Sequence, residues 1–153
     1  MSYATIIVGT DGSESSLTAV ERAAEVASAA EALLIVVCAY SPMTAREGAF
    51  LTRSLGATRF GEVPGTEPAQ EALATGAKRA QDAGATRVEG KLVEGDPGQA
   101  LLSVAEERSA DLIVVGNRGI NTLSARLLGS VPSDVSHRAR CDVLIVRTTE
   151  GGA

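Results

Sequence analysis

The chain has 153 residues, 44% of them hydrophobic but only 3% aromatic, so it fits one domain with an aliphatic, alanine-rich core. The formal net charge of −5 argues against a nucleic-acid partner, because a nucleic-acid surface shows a basic patch. No apolar run approaches the roughly 18 residues of a membrane span, and the N-terminus lacks the positive region of a signal peptide, so we expect a cytoplasmic protein without a membrane partner.

Two apolar runs near the N-terminus predict buried parallel strands, because neither has a polar face. Tyr3 to Gly9 forms the first strand and Leu33 to Ala39 the second. Between them the polar turn TDGS leads into a helix whose apolar face begins at Leu17 and fades near Ala30. Asp11 in this turn is either a helix cap or a ligand-binding residue, and the position of the turn after a buried strand favours the ligand.

The middle of the chain contains a long glycine-containing segment followed by a helix and a weaker strand. Residues 43–65 show no sustained period and are interpreted either as a solvated linker or as a flap over a ligand site. A helix capped by Thr66 then runs to Gly84. Residues 87–94 alternate imperfectly, as is typical of an edge strand.

The sequence GDPGQ predicts the start of the next helix. Asp96 stands at the cap, Pro97 at the first helical position and Gln99 three residues after the cap, which is a capping-box arrangement. The helix directs Leu101 and Val104 inward. The role of this motif is therefore structural.

The central motif of the chain follows the apolar run Leu112 to Val115, which predicts the fourth strand and indicates that it is fully buried. Gly116 and Gly119 come directly after it, and Gly129-Ser130 opens a helix nine residues later, giving the spacing G-x2-G-x9-G-S. Glycines let the backbone approach a ligand closely, and a serine at a helix start adds a hydroxyl beside free N–H groups. These features are typical of a phosphate-binding site.

The predicted fold is a single α/β domain over residues 1–148, with residues 149–153 as a disordered tail. Helices over 121–128 and 131–138 precede a last strand over 142–147. Strands alternating with helices indicate an open five-stranded parallel sheet, Rossmann-like, with helices on both faces and strand order 3-2-1-4-5. In this order strands 1 and 4 are neighbours where the winding reverses, which is where such sheets bind ligands.

These motifs resemble the nucleotide-binding signature of the universal stress protein family, and the resemblance extends over nearly the whole chain through GTDGSESS, Asp96-Pro97 and CDVLIVRT. The wider stretch GNRGINTLSARLLGSVPSDVSHRARCDVLIV is similar to actinobacterial members of the family that bind cyclic AMP. The resemblance implies a cytosolic sensor or signalling module in the stress response, assembled as a homodimer, with an adenine nucleotide (ATP, AMP or cyclic AMP) as ligand. Mg²⁺ would accompany the ligand only if it is ATP.

The candidate site residues follow from this resemblance together with the predicted geometry. The glycine motif would surround the phosphates of the ligand. By position in the family, Asp11 lies beside the ribose and Ala39 beside the adenine, and Gly9 and Thr10 complete the wall around the nucleoside. Arg118 is added because it lies within the glycine loop and could pair with a phosphate. The candidate nucleotide-binding residues are Gly9, Thr10, Asp11, Ala39, Val115, Gly116, Arg118, Gly119, Gly129, Ser130 and Val131.

Enzymatic alternatives have less support. The chain lacks both G-x4-G-K-[ST] and G-x-G-x-x-G, and His137, its one histidine, lies among arginines without a G-x-S-x-G motif. Cys38 and Cys141 are interpreted as reduced thiols, and no protein-built metal site is expected. A slow ATPase on the same site and a ligand-free dimeric scaffold remain as alternative functions; catalytic residues are not assigned.

Two expectations concern ligand choice and assembly. Pro132 stands where the family's ATP-binding pattern usually has Thr or Ser, so the phosphate pocket loses an N–H and a hydroxyl, which favours cyclic AMP or AMP over ATP. The apolar strand over 142–147 carries charges only at its two ends. Because an open apolar edge invites pairing, we expect a second copy to cover it in a two-fold dimer.

Overall fold

A computed structural model describes residues 2–42, 62–117 and 129–148. All five predicted strands and the helices that fall within these ranges are present. In chain order the elements are β1 (Thr5–Gly9), α1 (Glu14–Ala30), β2 (Leu33–Ser41), β3 (Glu62–Pro64), α2 (Thr66–Asp82), β4 (Arg87–Glu94), α3 (Pro97–Glu107), β5 (Leu112–Gly116), α4 (Ser130–Arg138) and β6 (Asp142–Val146).

The described strands form one sheet in which every pairing is parallel. β1 lies between β2 and β5, β4 pairs along β2, and β6 pairs with β5. The predicted order 3-2-1-4-5 is therefore confirmed as β4-β2-β1-β5-β6. The reversal in winding falls between β1 and β5, so the carboxyl ends of these strands, Gly9 and Gly116, lie at the same edge of the sheet.

The short strand β3 was not predicted from the sequence. It pairs with the last three residues of β2, on the same side of β2 that β1 occupies earlier along the strand. The carbonyl oxygens of Val37 and Ser41 accept from Thr10 N and Gly65 N, both at 2.9 Å, whereas that of Tyr40, which points the other way, accepts from Gly95 N on the β4 side. β3 thus occupies the end of the segment that we interpreted as a linker or flap.

Two aliphatic cores lie on the two faces of the sheet. On one face the strands pack against the alanine-rich side of α1, and on the other they pack against α3 and α4. Alternate residues of β1 separate the two cores, because Ile6 and Val8 face one and Ile7 faces the other. Helices on both faces of the sheet are confirmed, and within the described ranges no helix is long and apolar enough to cross a bilayer.

Two local predictions need correction. The cap of α2 is Gly65, at φ 92°, and Thr66 is the first helical residue. Asp96 caps α3 as predicted by accepting from Gln99 N at 3.0 Å. The Gln99 side chain, however, bonds Ser103 and Arg138, so the reciprocal half of the capping box does not form. The predicted helix over 121–128 and the predicted tail over 149–153 lie outside the described residues.

Candidate functional site

A cavity of about 270 Å³ lies where β1 and β5 end. It combines residues from the carboxyl ends of β1, β2 and β5, the first turn of α1, the start of α3 and the start of α4. The described residues that line it are Gly9, Thr10, Asp11, Ser13, Ser15, Ser16, Val37, Ala39, Pro97, Leu101, Val115, Gly116, Gly129, Ser130, Val131 and Pro132.

Nine of the eleven candidate residues from the sequence line this cavity. They are Gly9, Thr10, Asp11, Ala39, Val115, Gly116, Gly129, Ser130 and Val131. The other two, Arg118 and Gly119, lie outside the described residues. The fold thus brings together side chains and glycines that are widely separated in the sequence, because parallel strands direct their carboxyl ends to the same edge.

The turn between β1 and α1 satisfies most of its own polar groups. Ser13 caps α1 by accepting from Ser16 N at 3.2 Å, and Asp11 Oδ1 accepts from Ser13 N at 2.9 Å. The Thr10 hydroxyl contacts Ser16 Oγ at 3.0 Å and accepts from Gly12 N at 3.1 Å. Thr10 is therefore a structural part of the cavity wall.

Asp11 is not the helix cap, because Ser13 takes that position, but its side chain does stabilise the turn. Its Oδ1 is held by the turn, whereas its Oδ2 has no hydrogen-bond partner within the described ranges. Among the described residues that line the cavity, Asp11 is the one charged side chain. A fixed carboxylate oxygen at the wall of a cavity can accept a hydrogen bond from a ligand hydroxyl.

The start of α4 provides unsatisfied donors at the cavity. Gly129 is its N-cap and offers no side-chain hydrogen bond, and the Ser130 hydroxyl and the N–H groups of Ser130 and Val131 have no partner in the described part of the chain. Pro132 has no N–H, and Ser133 N already bonds Gly129 O at 3.1 Å. The helix start therefore offers two N–H groups and one hydroxyl, which suits a small anionic group.

The sequence did not identify the apolar part of the wall. Val37, Pro97 and Leu101 line the cavity, and each is buried. Pro97 and Leu101 were assigned only to a helix start and a core face, and their place at the cavity follows from the packing of α3 against β1. A Cβ atom at Gly9 would lie 3.3 Å from the Leu101 methyl groups, so glycine permits this close packing.

The described cysteine and histidine side chains do not provide a reactive group in the cavity. Burial, with a smaller contribution from the charge of Asp11, raises the pKa of the Cys38 thiol to about 12, so Cys38 stays protonated near neutral pH. His137 is exposed, with Nδ1 2.7 Å from Ser133 O, and does not line the cavity. Within the described ranges there is no group of three or more His, Cys, Asp or Glu side chains that could hold a metal.

Comparison with known proteins gives consistent matches. The model of the universal stress protein family matches residues 2–147. The universal stress protein Rv1636 of Mycobacterium tuberculosis is 49% identical to this chain over 147 residues, which cover 96% of this chain and 98% of the relative.

Solved structures of the same kind include complexes with adenine nucleotides. A universal stress protein crystallised in complex with cAMP is 42% identical, with a TM-score of 0.73, and the match covers 97% of this chain and 100% of that one. A universal stress protein from Archaeoglobus fulgidus in complex with dAMP is 25% identical, with a TM-score of 0.66 and coverage of 96% and 100%.

Proposed function

This chain belongs to the universal stress protein family, and on that premise we propose that it binds an adenine nucleotide in the cavity at the carboxyl ends of β1 and β5. Binding would serve a sensor or signalling role in the stress response. We place this role in the cytoplasm, as the sequence predicts. The observation that carries the proposal is that nine candidate residues, chosen without the structure, line one cavity.

The phosphate group would bind at the start of α4. Two N–H groups and the Ser130 hydroxyl are available there, and the helix dipole adds partial positive charge. Gly116 lines the cavity, and because it carries no side chain Thr148 can pack closely behind it. In this proposal Gly119 and Arg118 complete the phosphate end, as predicted from the sequence.

The nucleoside would occupy the rest of the cavity. Asp11 Oδ2 is suited to accept a hydrogen bond from a ribose hydroxyl. The buried side chains of Val37, Leu101 and Val115 offer an apolar surface for a flat base, and Ala39 leaves space beside it. An apolar wall with few polar groups is the usual composition of a small-molecule pocket.

We propose cyclic AMP as the preferred nucleotide. A triphosphate carries several more negative charges than a cyclic monophosphate and needs more donors, whereas Pro132 removes one N–H from the helix start. The described lining contributes a negative charge at Asp11 and no positive one. The 42% identical structure that contains cAMP supports the same choice. Mg²⁺ would enter the site only with ATP.

We also propose a homodimer that pairs copies of β6. Val143, Leu144 and Ile145 in this strand are only partly buried, and β6 pairs on one side alone within the described sheet. A two-fold copy would satisfy the open backbone groups on the other side. Sedimentation should give a dimer at micromolar concentration and a smaller mass for Val143→Lys; a wild-type monomer would contradict the pairing.

The function is tested by identifying the ligand and its fate. Mass spectrometry of nucleotide released from purified protein should detect an adenine nucleotide, and incubation with radiolabelled ATP should leave the label intact. Released phosphate that Ser130→Ala abolishes would instead support a slow ATPase. Absence of any bound nucleotide, together with no binding of added cyclic AMP, would support a ligand-free scaffold and overturn the proposal.

A further inference from the structure

We propose that Asn117 and Thr148 are positioning residues that set the geometry of the phosphate end of the cavity. This inference rests on the proposed function, because it names residues that serve the same nucleotide site. Neither residue lines the cavity within the described ranges. They act through Ser15, Gly116 and Gly129, which do line it.

The backbone of Asn117 joins three elements around the site. Its N–H donates to Val146 O at 2.8 Å, which ties the end of β5 to the end of β6. Its carbonyl oxygen accepts from Gly129 N at 3.0 Å, which fixes the N-cap of α4. The direction of the free N–H groups of α4 therefore depends on where Asn117 is held.

The side chain of Asn117 extends this connection to Thr148, the second residue after β6. Its Oδ1 accepts from Thr148 N at 2.9 Å and from the Thr148 hydroxyl at 3.2 Å. A carbonyl oxygen has two lone pairs, so both are occupied by one residue. Thr148 is thereby fixed in both backbone and side chain.

Thr148 in turn contacts α1. Its Oγ1 lies 2.6 Å from Ser15 Oγ. The Thr148 hydroxyl also donates to Asn117 Oδ1, so hydrogen bonds link Ser15, Thr148 and Asn117 in series. Successive hydrogen bonds of this kind polarise and strengthen one another.

Thr148 also packs directly behind the first glycine of the motif. A Cβ atom built on Gly116 would lie 3.0 Å from Thr148 Cγ2. The cavity therefore has Gly116 in its wall and Thr148 supporting that glycine from outside. The first turn of α1, the end of β5 and the start of α4 are held together by one set of contacts centred on Asn117 and Thr148.

Loss of this arrangement should affect ligands with a phosphate and ligands without one differently. Donors at the start of α4 stabilise a phosphate only if they are held at hydrogen-bond distance, and small displacements weaken them sharply. A nucleoside without phosphate does not use these donors. Loosening the network should therefore reduce the affinity for cyclic AMP while leaving that for adenosine unchanged.

The test compares the dissociation constants of cyclic AMP and adenosine by isothermal titration. Thr148→Val keeps the shape of the side chain and removes its hydroxyl, so cyclic AMP affinity should fall about three- to ten-fold, the effect of one or two hydrogen bonds. Adenosine affinity should stay within about two-fold. Thr148→Ser keeps the hydroxyl and should retain most of the cyclic AMP affinity.

Two further variants complete the design. Thr18→Val makes the same substitution on α1, one turn after Ser15. Within the described residues the Thr18 hydroxyl bonds only Glu14 O, at 3.0 Å, so this variant should change neither affinity. Asn117→Ala should lower cyclic AMP affinity selectively, and adding Thr148→Val to it should cause little further loss, because both act in one network.

The outcomes separate this inference from the proposed function. If wild-type protein binds cyclic AMP and the folded Thr148→Val and Asn117→Ala variants keep the wild-type ratio of the two affinities, the positioning role is overturned and the proposed function stands. Equal losses for both ligands would also overturn it, since they indicate a general disturbance. If wild-type protein binds neither ligand, the proposed function and this inference both fail.

Discussion

The amino and carboxyl ends of the sheet differ in where their polar groups find hydrogen-bond partners. At the amino end, Asp111 Oδ2 accepts from Ala4 N at 2.8 Å and from Thr5 N at 3.0 Å, and the Tyr3 hydroxyl donates to Asp142 at 2.8 Å. At the carboxyl end, the start of α4 and Asp11 Oδ2 turn polar atoms towards a cavity.

This difference separates stability from binding within one small fold. Polar groups that bond one another at the amino end hold strands together, whereas unsatisfied groups at the carboxyl end lower the energy only when a ligand arrives. Changes at the amino end should therefore lower the free energy of unfolding without changing affinity. Changes at the carboxyl end should lower the affinity for the ligand with little change in the free energy of unfolding.

The largest expected effect is on stability, at the amino end. Asp111→Ala removes the acceptor of two backbone N–H groups and should lower the free energy of unfolding by about 2 kcal/mol. The melting temperature should fall by about 4–8 °C for a chain of this size. Asp82→Ala is the matched control, because among the described residues its carboxylate pairs only with the exposed Lys78 and should contribute less than about 1 kcal/mol. Loss of cyclic AMP affinity in a folded Asp111→Ala variant would contradict the separation of stability from binding between the two ends of the sheet.

The next effect is on binding, at the carboxyl end. Gly116→Val forces a side chain against Thr148, where a Cβ atom would already lie 3.0 Å from Thr148 Cγ2, and the displacement of the cavity wall should weaken cyclic AMP binding at least about ten-fold, or about 1.4 kcal/mol. Gly90→Val is the control, because its Cβ would meet Leu73 at 3.1 Å on the face of the sheet opposite to the Leu101 side of the cavity. It should lower stability without changing affinity. Equal affinities for the two variants would remove Gly116 from the site.

A smaller effect is expected on nucleotide choice. Pro132→Thr restores an N–H and a hydroxyl in the first turn of α4, so ATP affinity should rise about three- to ten-fold relative to that of cyclic AMP. Competition binding of both nucleotides to the variant and the wild type measures this ratio. An unchanged ratio would show that Pro132 does not set the choice of ligand.

The smallest expected effect is a pH dependence of stability that arises at the amino end of the sheet. The hydrogen bond to Asp142, with burial and nearby negative charge, raises the pKa of Tyr3 above its ordinary value of 10.0. The protonated hydroxyl is therefore favoured in the folded state, and its contribution to stability is present below pH 10 and lost as the pH rises through the raised pKa.

Urea unfolding of wild type and Tyr3→Phe tests this linkage. The stability advantage of the wild type should shrink between pH 9 and the alkaline range above 10, because only the wild type loses a bonded proton there. Cyclic AMP affinity should be the same in both proteins at pH 8. An advantage that stays constant with pH would show that the Tyr3 bond does not contribute.

The sequence predicted the sheet because its buried strands are nearly continuous apolar runs. Apolar runs such as LIVV and LLIVV have no exposed face, so they indicate where the strands lie and that helices cover both faces of the sheet. β3 escaped prediction because it has three residues within a stretch of mixed polarity, and its pairing depends on the end of β2. Gly65 was missed as a cap because its positive φ is invisible in the sequence.

The candidate site was predictable where a local motif marks it. The turn after β1 and the glycines after β5 follow strands that meet, so Asp11 and Gly116 could be assigned to the same region. Leu101 and Thr148 could not, because their contacts with Gly9 and Gly116 depend on how α3 and the end of β6 pack. Their role in the proposed site arises from tertiary structure alone.

The central claim, that the carboxyl-end cavity binds cyclic AMP in preference to ATP, is tested most directly by equilibrium competition on the wild-type protein. Labelled cyclic AMP is bound and then displaced with unlabelled cyclic AMP or ATP in parallel titrations. We expect saturable binding of one cyclic AMP per chain, and displacement by cyclic AMP at a lower concentration than by ATP. Displacement by ATP at the lower concentration, or no saturable binding of cyclic AMP, would contradict it.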